Sequence, residues 1–120
     1  MLMKLKDKIK LVRIKSKAKK EGYILIKVGK DNLQKYKNKV KDNNNISDLK
    51  ALLKINRDYY CGEVIRIKNG IKTVRYGALE INVDVEKNKV VSIKNNVKSG
   101  IIHKLKRKKL NELFEINRIE

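Results

Sequence analysis

The chain has 120 residues, a length that suits one small domain spanning residues 1–120. It contains 32 Lys and Arg against 13 Asp and Glu, a net charge of +19, with one Cys, one His and no Pro. One Cys excludes an internal disulfide, one His excludes chemistry that needs two histidines, and no apolar run in the sequence is long enough to cross a membrane.

The charge excess indicates a polyanionic partner. Hydrophobic residues make up 41% of the chain, and Ile, Leu and Val recur in periodic clusters, which predicts a folded aliphatic core. A field of one sign repels further copies of the chain unless a polyanion neutralises it. Nucleic acid is the commonest such partner of a basic domain, ahead of an anionic membrane surface. A lysine-rich composition bias is the alternative interpretation of the charge.

The N-terminal stretch favours a strand. Apolar residues alternate with lysine along the first 15 residues, which predicts a strand over 9–15 with one basic face, followed by a basic connection over 16–22. The spacing of Leu5, Ile9 and Val12 also fits a helix, which is the alternative. Because lysine interrupts every apolar run here, a signal peptide is not expected. Together with the unpaired cysteine, this predicts a cytoplasmic protein.

The next segment is predicted to hold a strand and a helix. Residues 23–28 are apolar on both faces, which is typical of a central strand. Asp31 is suited to cap a helix that the asparagines at 43–45 end. The apolar face of this helix is predicted to hold Leu33, Tyr36 and Val40.

A second helix and a hairpin follow. Ser47 is a good N-cap for a helix over 47–56. Asn69 and Gly70 lie between β-branched runs at 59–68 and 71–77 and predict a two-residue hairpin turn, which fixes the register from Lys68 opposite Ile71 to Val64 opposite Arg75. One face is then predicted to hold Ile65, Ile67, Val74 and Tyr76, and the other Arg66, Lys68, Thr73 and Arg75, with Val64 and Ile71.

The C-terminal part is predicted to hold two strands and a helix. Alternation at 79–85 indicates a half-buried strand, and a turn leads to a second strand at 90–93. Residues 95–100 are predicted to form a loop, with Ser99 as the cap of a helix over about 101–116. The apolar face of that helix is predicted to hold Ile102, Leu105, Leu110, Leu113 and Phe114.

No group of residues predicts catalysis or a cofactor. Glu80, Asp84 and Glu86 project from one strand face, but no lysine stands two positions after the later acids, as a metal-dependent nuclease motif requires, so a solvated face is favoured. His103 stands alone in a basic run, and Cys61, expected in a strand, is interpreted as a small buried hydrophobe. We therefore expect no metal and no cofactor, and lean towards a protein that is not an enzyme.

The basic clusters are the candidate binding sites. They are predicted on three elements: the N-terminal stretch, one face of the hairpin, and the start of the last helix. Preordered cations on rigid elements suit contacts to phosphate. The candidate nucleic-acid-binding residues are Lys15, Lys17, Lys19, Lys20, Arg66, Lys68, Arg75, Lys104, Lys106, Arg107, Lys108 and Lys109.

The element order from residue 23 onward, and the stretch 60–70 followed by Val74, Arg75 and Tyr76, resemble the RelE-type ribonuclease toxins. That resemblance implies metal-independent RNA cleavage on the ribosome by scattered Lys, Arg, Tyr and His. It would assign Arg66, Arg75, Tyr76 and His103 as candidate functional residues.

The sequence thus predicts an α+β fold, with a mainly antiparallel sheet and two to three helices. We expect a non-enzymatic binder of structured RNA, a component of a ribonucleoprotein that contacts backbone phosphates and other proteins of the assembly but no membrane. RNA is favoured over DNA because no helix-turn-helix, zinc or zipper pattern is present. The alternatives are the ribonuclease toxin, a DNA-binding phage or plasmid protein, and a protein-binding inhibitor module.

Overall fold

The structure is a computed structural model that describes residues 3–39 and 46–119. The helices in this part of the chain are Leu5–Lys20 (α1), Lys30–Lys39 (α2), Asp48–Cys61 (α3) and Lys104–Leu113 (α4), with a 3-10 turn at Ile116–Arg118. The strands are Glu63–Lys68 (β1), Ile71–Asp84 (β2) and Lys89–Gly100 (β3), in the sheet order β1-β2-β3. The predicted α+β class with an antiparallel sheet is confirmed.

The predicted strand at 9–15 is wrong, because it lies in α1, and the connection predicted at 16–22 is helical up to Lys20. Lysine alternation fits either structure, but no Gly or Pro interrupts residues 5–20, and Lys, Leu and Ala are good helix formers. Ile14 and Ala18, four residues apart, are fully buried against the body of the protein. The helix ends before Gly22, whose φ of 88° suits glycine. With this helix, residues 3–39 and 46–119 hold four α-helices, above the two to three expected.

The predicted central strand at 23–28 is also wrong: Leu25, Ile26 and Val28 are buried as expected, but Ile24 is 60% exposed. This extended segment meets the sheet at a single parallel bridge between Lys27 and Lys89. The Asn56 amide accepts from the Ile26 N–H at 2.7 Å and donates to its carbonyl at 3.2 Å. A side chain of α3 therefore takes the place of a neighbouring strand.

The helices α2 and α3 follow their predicted patterns, with one difference in length. Leu33 and Tyr36 are buried on α2, whereas Val40 and residues 43–45 lie outside the described part of the chain. Ser47 caps α3, its hydroxyl accepting from the Lys50 N–H at 3.1 Å. The helix continues to Cys61, so the strand expected from residue 59 begins later, after Gly62.

The hairpin register is confirmed near the turn and wrong further from it. Lys68 lies opposite Ile71, Ile67 opposite Lys72 and Arg66 opposite Thr73, but a bulge at Ile65 then shifts β1 by one residue. As a result Val64 lies opposite Val74, and Glu63 takes the predicted place of Val64 opposite Arg75.

The long strand β2 folds back on itself. The Val85 N–H donates to the Gly70 carbonyl at 3.0 Å, and the Thr73 hydroxyl donates to Asn82 Oδ1 at 2.6 Å. A straight strand of this length would hold its ends about 45 Å apart, so the chain reverses at Gly77, where φ is 55°. Two arms, 71–76 and 79–84, result. The sheet is therefore a meander of four strands, and the separate strand predicted at 79–85 is confirmed.

The strand β3 is longer than the predicted 90–93, and α4 therefore begins later than predicted. Leu79 pairs with Asn95 and Gly77 with Gly100, so residues 96–99 form a wide irregularity within β3 where a loop was expected. The predicted Ser99 cap is wrong, because β3 continues to Gly100 and His103 takes the N-cap position of α4. Leu110, Leu113 and Phe114 are buried as predicted, but Leu105 is 87% exposed.

Helices cover one face of the sheet and enclose two connected apolar clusters. One cluster lies between α2, α3 and the sheet and includes Tyr36, Ile55 and Ile81. The other lies between α1, α3 and α4 and includes Ile14 and Phe114. None of the helices described is long and apolar enough to span a bilayer.

Candidate nucleic-acid interface

Two of the three predicted basic clusters lie together. The Lys109 amine is 3.9 Å from the Glu21 carboxylate just after α1. The amines of Lys106 and Lys109 lie 5.7 and 5.9 Å from the ring centroid of Tyr23. The C-terminal turn of α1 therefore lies beside α4, and we call the cationic residues of these two segments together the α1–α4 surface. Its cationic residues are Lys17, Lys19, Lys20, Lys104, Lys106, Arg107, Lys108 and Lys109.

Glu115 fixes α1 to the end of the chain. Its carboxylate accepts from both terminal nitrogens of Arg13, at 2.5 and 2.9 Å, and lies 3.6 Å from the amine of Lys17. The hydrogen bond from Arg13 lowers the pKa of Glu115, against the opposing effect of burial. This ion cluster orders the base of the α1–α4 surface while leaving the other lysines of α1 uncompensated.

The basic run at 104–109 does not form one face. Six consecutive residues cover more than one full turn of helix, so their side chains point in different directions. Lys106 and Lys109 face Tyr23, whereas Arg107 faces the sheet and its Nε donates to the Tyr76 hydroxyl at 2.5 Å. Tyr76, Ile102, Lys104 and Arg107 line a shallow cleft of about 390 Å³ between β2 and α4. Because both flanks of α4 have protein partners, the helix lies flat on the body of the protein.

A buried polar network lies behind this cleft, and it is not among the groups that the sequence predicts. The Asp58 carboxylate accepts from the Tyr36 hydroxyl at 2.8 Å and from Arg57 Nε at 3.0 Å, and Arg57 Nη2 lies 2.9 Å from it. Arg57 also donates to Asn111 Oδ1 on α4 at 2.9 Å, and its guanidinium lies 6.0 Å from the centroid of the Tyr76 ring. The sequence signal that could have indicated the network is the adjacent pair Arg57 and Asp58 inside an otherwise apolar helix.

Burial dominates the titration of this network. It raises the pKa of Asp58, against the lowering effects of Arg57 and of the hydrogen bond from Tyr36. Burial and the Asp58 charge also raise the pKa of Tyr76, against the effect of Arg57 and of the hydrogen bond from Arg107. Tyr76 is therefore a protonated phenol at neutral pH, suited to hydrogen bonding and not to acting as a base.

The hairpin cluster has a mixed charge. Arg66 and Lys68 lie near the Asn69–Gly70 turn, whereas Arg75 lies at the far end of β1, opposite Glu63. Arg75 Nε is buried and has no hydrogen-bond partner among the residues described. On the neighbouring strands, Glu80 lies opposite Lys94 and Asp84 opposite Lys89. Acids therefore alternate with cations on these strands, whereas only Lys17 and Lys109 of the α1–α4 surface lie within 4 Å of a described carboxylate.

The other candidate groups have structural surroundings. His103 is exposed at the start of α4, and its backbone N–H donates to the Cys61 carbonyl at 3.0 Å. Cys61 is buried at the end of α3, as the hydrophobe predicted but not in the predicted strand, and burial raises its pKa to about 11. Asp84 accepts from the backbone N–H groups of the following turn. Within residues 3–39 and 46–119, no three His, Cys, Asp or Glu side chains cluster as metal ligands.

Comparison with known proteins gives no match: no family model, no curated protein and no solved structure matches this chain.

Proposed function

We propose that this protein binds structured RNA by its backbone phosphates, with the α1–α4 surface as the principal contact. Ten of the twelve predicted residues make no ion pair within 4 Å with any other described residue, and only Lys17 and Lys109 do. These cations are carried on ordered helices and strands. Ordered cations lose less entropy on binding, which favours a polyanion over free counterions.

The flat placement of α4 supports contact with the backbone. A helix that reads bases must enter the major groove of DNA with its flanks free. Here Lys106 and Lys109 lie against Tyr23, and Arg107 against Tyr76. Double-stranded RNA, in contrast, is recognised largely through its shape and phosphates. Such a ligand would place the protein in a cytoplasmic ribonucleoprotein.

A salt titration tests the proposal. If about six phosphates are neutralised, the affinity for a random duplex RNA falls by about 10³ between 50 and 200 mM salt. The salt slope is the slope of the logarithm of the binding constant against the logarithm of the salt concentration. In the double variant Lys104→Ala/Lys108→Ala its magnitude is expected to fall by about 1 for each phosphate that a removed lysine neutralised. The matched control Lys30→Ala/Lys35→Ala removes the same charge from α2 and is expected to leave the slope unchanged. Equal reductions of the salt slope in both variants would indicate binding by net charge with no preferred surface. An affinity for duplex RNA that does not change between about 50 and 200 mM salt would refute the proposal.

Competition with duplex DNA of the same sequence tests the choice of nucleic acid. Preference for RNA is expected by at least severalfold at one fixed salt concentration, because α4 contacts backbone and not major-groove bases. Equal competition would favour the DNA-binding alternative. A complex with a protein that survives both nuclease and high salt would favour the inhibitor module.

A second candidate function is metal-independent ribonuclease activity. It is favoured by the cleft in which Arg107 holds the Tyr76 hydroxyl beside Lys104 and near the buried Arg57. Such cations stabilise the charge that develops on a phosphate when a 2′-hydroxyl attacks it and the 5′-oxygen leaves. Cleavage of RNA in EDTA to 2′,3′-cyclic phosphate ends, abolished in Tyr76→Phe or His103→Ala, would establish this function. Intact RNA in EDTA would exclude it.

A further inference from the structure

α1 has a second apolar stripe, on the side opposite its buried face. Leu5, Ile9 and Val12 are 75%, 62% and 68% exposed. At 100° per residue they lie within about 60° of one another, on the side opposite Ile14 and Ala18. Three aliphatic side chains in a row on a free helix face are unusual for a surface of this charge. The proposed binding of RNA phosphates does not explain why these three apolar side chains are exposed.

The flanks of this stripe have one sign of charge. Lys8, Lys15 and Lys19 follow one side of it, and Lys6, Arg13 and Lys20 the other. The one acid of α1, Asp7, lies on the inward side of the helix, and Arg13 is already paired with Glu115. A second copy of this chain would therefore bring lysine against lysine, whereas an acidic surface would be complementary.

The width of the stripe distinguishes two acidic partners. A helix that lies in a bilayer interface presents a broad apolar face, commonly with aromatic residues. A stripe of about 60° with the spacing i, i+4, i+7 is instead the narrow seam that helices present to each other. We propose that the outward face of α1 binds an acidic amphipathic helix of a partner protein. Leu5, Ile9 and Val12 enter its apolar seam, and the flanking lysines pair with its carboxylates. The apolar stripe lies outside the proposed RNA interface, but two of its flanking lysines, Lys19 and Lys20, also belong to the α1–α4 surface.

A defined peptide tests the inference. The probe is a synthetic helical peptide with leucines along one seam and glutamates on both sides of it. The control peptide has the same composition with leucines distributed around the helix. After nuclease treatment, the full chain is expected to bind the probe at least tenfold more tightly than the control peptide. The variant Leu5→Ser/Ile9→Ser/Val12→Ser is expected to bind the probe at least tenfold more weakly. The control variant Leu105→Ser, at a leucine of α4 that is 87% exposed, is expected to change the affinity less than twofold.

Each contrary outcome overturns the proposal. Equal binding of both peptides would show a charge effect alone, and no binding of the probe would exclude the helical partner. Stripe-dependent binding to phosphatidylglycerol vesicles but not to the probe would assign a membrane surface. A concentration-dependent dimer that the triple variant abolishes would assign a second copy of the chain. Reduced affinity for duplex RNA in the triple variant, with the probe unbound, would make the stripe part of the RNA interface. Because the three side chains are exposed, thermal unfolding is expected to be unchanged, and it serves as the folding control.

Discussion

Replacing Asp58 by Asn is expected to destabilise the protein strongly. The carboxylate is fully buried, and it accepts from Tyr36 at 2.8 Å and from Arg57 at 3.0 Å. The Arg57 side chain is only 7% exposed. Asn keeps the shape of the side chain but removes the charge that compensates the guanidinium. An ion left unpaired in a protein interior costs about 3–5 kcal/mol.

That destabilisation is large compared with the whole stability of a small domain, about 5–15 kcal/mol. Urea unfolding followed by circular dichroism measures it directly. With a denaturant dependence of about 2 kcal/mol per molar urea, the midpoint is expected to fall by about 2 M, with the slope unchanged. A change in slope would indicate instead that the native or denatured state had altered in compactness.

Two control variants separate the charge from the hydrogen bonds. Tyr36→Phe removes one donor to the carboxylate and leaves the ion pair, so a smaller decrease in unfolding free energy, about 1.5–3 kcal/mol, is expected. Arg57→Met/Asp58→Leu removes both charges and is expected to be more stable than Asp58→Asn. The reasoning is refuted if Asp58→Asn lowers the unfolding free energy by less than about 1 kcal/mol. It is equally refuted if the double variant is less stable than the single one.

Three further predictions concern the elements that hold the fold. Gly62→Ala is expected to lower the unfolding free energy by about 1–3 kcal/mol, because the added Cβ would lie 2.5 Å from Val74 Cγ1. The control is Gly29→Ala, where the added Cβ has no described atom within 4 Å beyond those of its chain neighbours. Equal decreases in the unfolding free energy of the two variants would refute the steric argument. Asn56→Ala removes the hydrogen bonds of Asn56 to the N–H and the carbonyl of Ile26, and each buried group left unpaired lowers the unfolding free energy by about 1–3 kcal/mol. Faster hydrogen exchange of the Ile26 amide is therefore expected, and an unchanged exchange rate would contradict this prediction. Glu115 has a lowered pKa in the folded state, so its stabilisation is present above the unfolded pKa and disappears as pH falls through the folded value. Unfolding free energies of Glu115→Gln are therefore expected to fall less steeply between about pH 5 and about pH 3 than those of the unmodified chain, and parallel curves would exclude this role.

The sequence predicts those parts of the fold that short-range signals determine. The Asn69–Gly70 turn and the Ser47 cap act over two to four residues, and both are confirmed. The helix α1 is the alternative and not the favoured prediction, because alternating lysines fit a strand as well as a helix, and the burial of Ile14 and Ala18 on one face supports the helix. Residues 23–28 resemble a strand in sequence because buried apolar residues are common in central strands.

The parts of the fold that the sequence does not predict depend on side-chain contacts between residues far apart in the chain. No local pattern shows that Asn56 bonds to the backbone of residue 26, thirty positions earlier. The alternation at 79–85 does separate this strand from 71–77, but no local pattern shows that the reversal at Gly77 brings Thr73 to Asn82. The candidate binding residues could be identified by charge, but their division into a joined α1–α4 surface and a mixed hairpin face depends on register and helix packing.

The buried network links stability to the proposed interface. Asp58 holds Arg57, which bonds to Asn111 on α4 and lies near the ring of Tyr76. One turn away from Asn111, Arg107 bonds to the same tyrosine from the solvent side. Because Arg57 is compensated from inside by Asp58, the charge presented at the cleft is that of Arg107 and Lys104. A phosphate at the cleft would then meet cations whose helix is anchored through α3. Asp58→Asn is therefore expected to weaken RNA binding even in the fraction of molecules that stays folded, by loosening α4 and not by removing a charge that the RNA contacts.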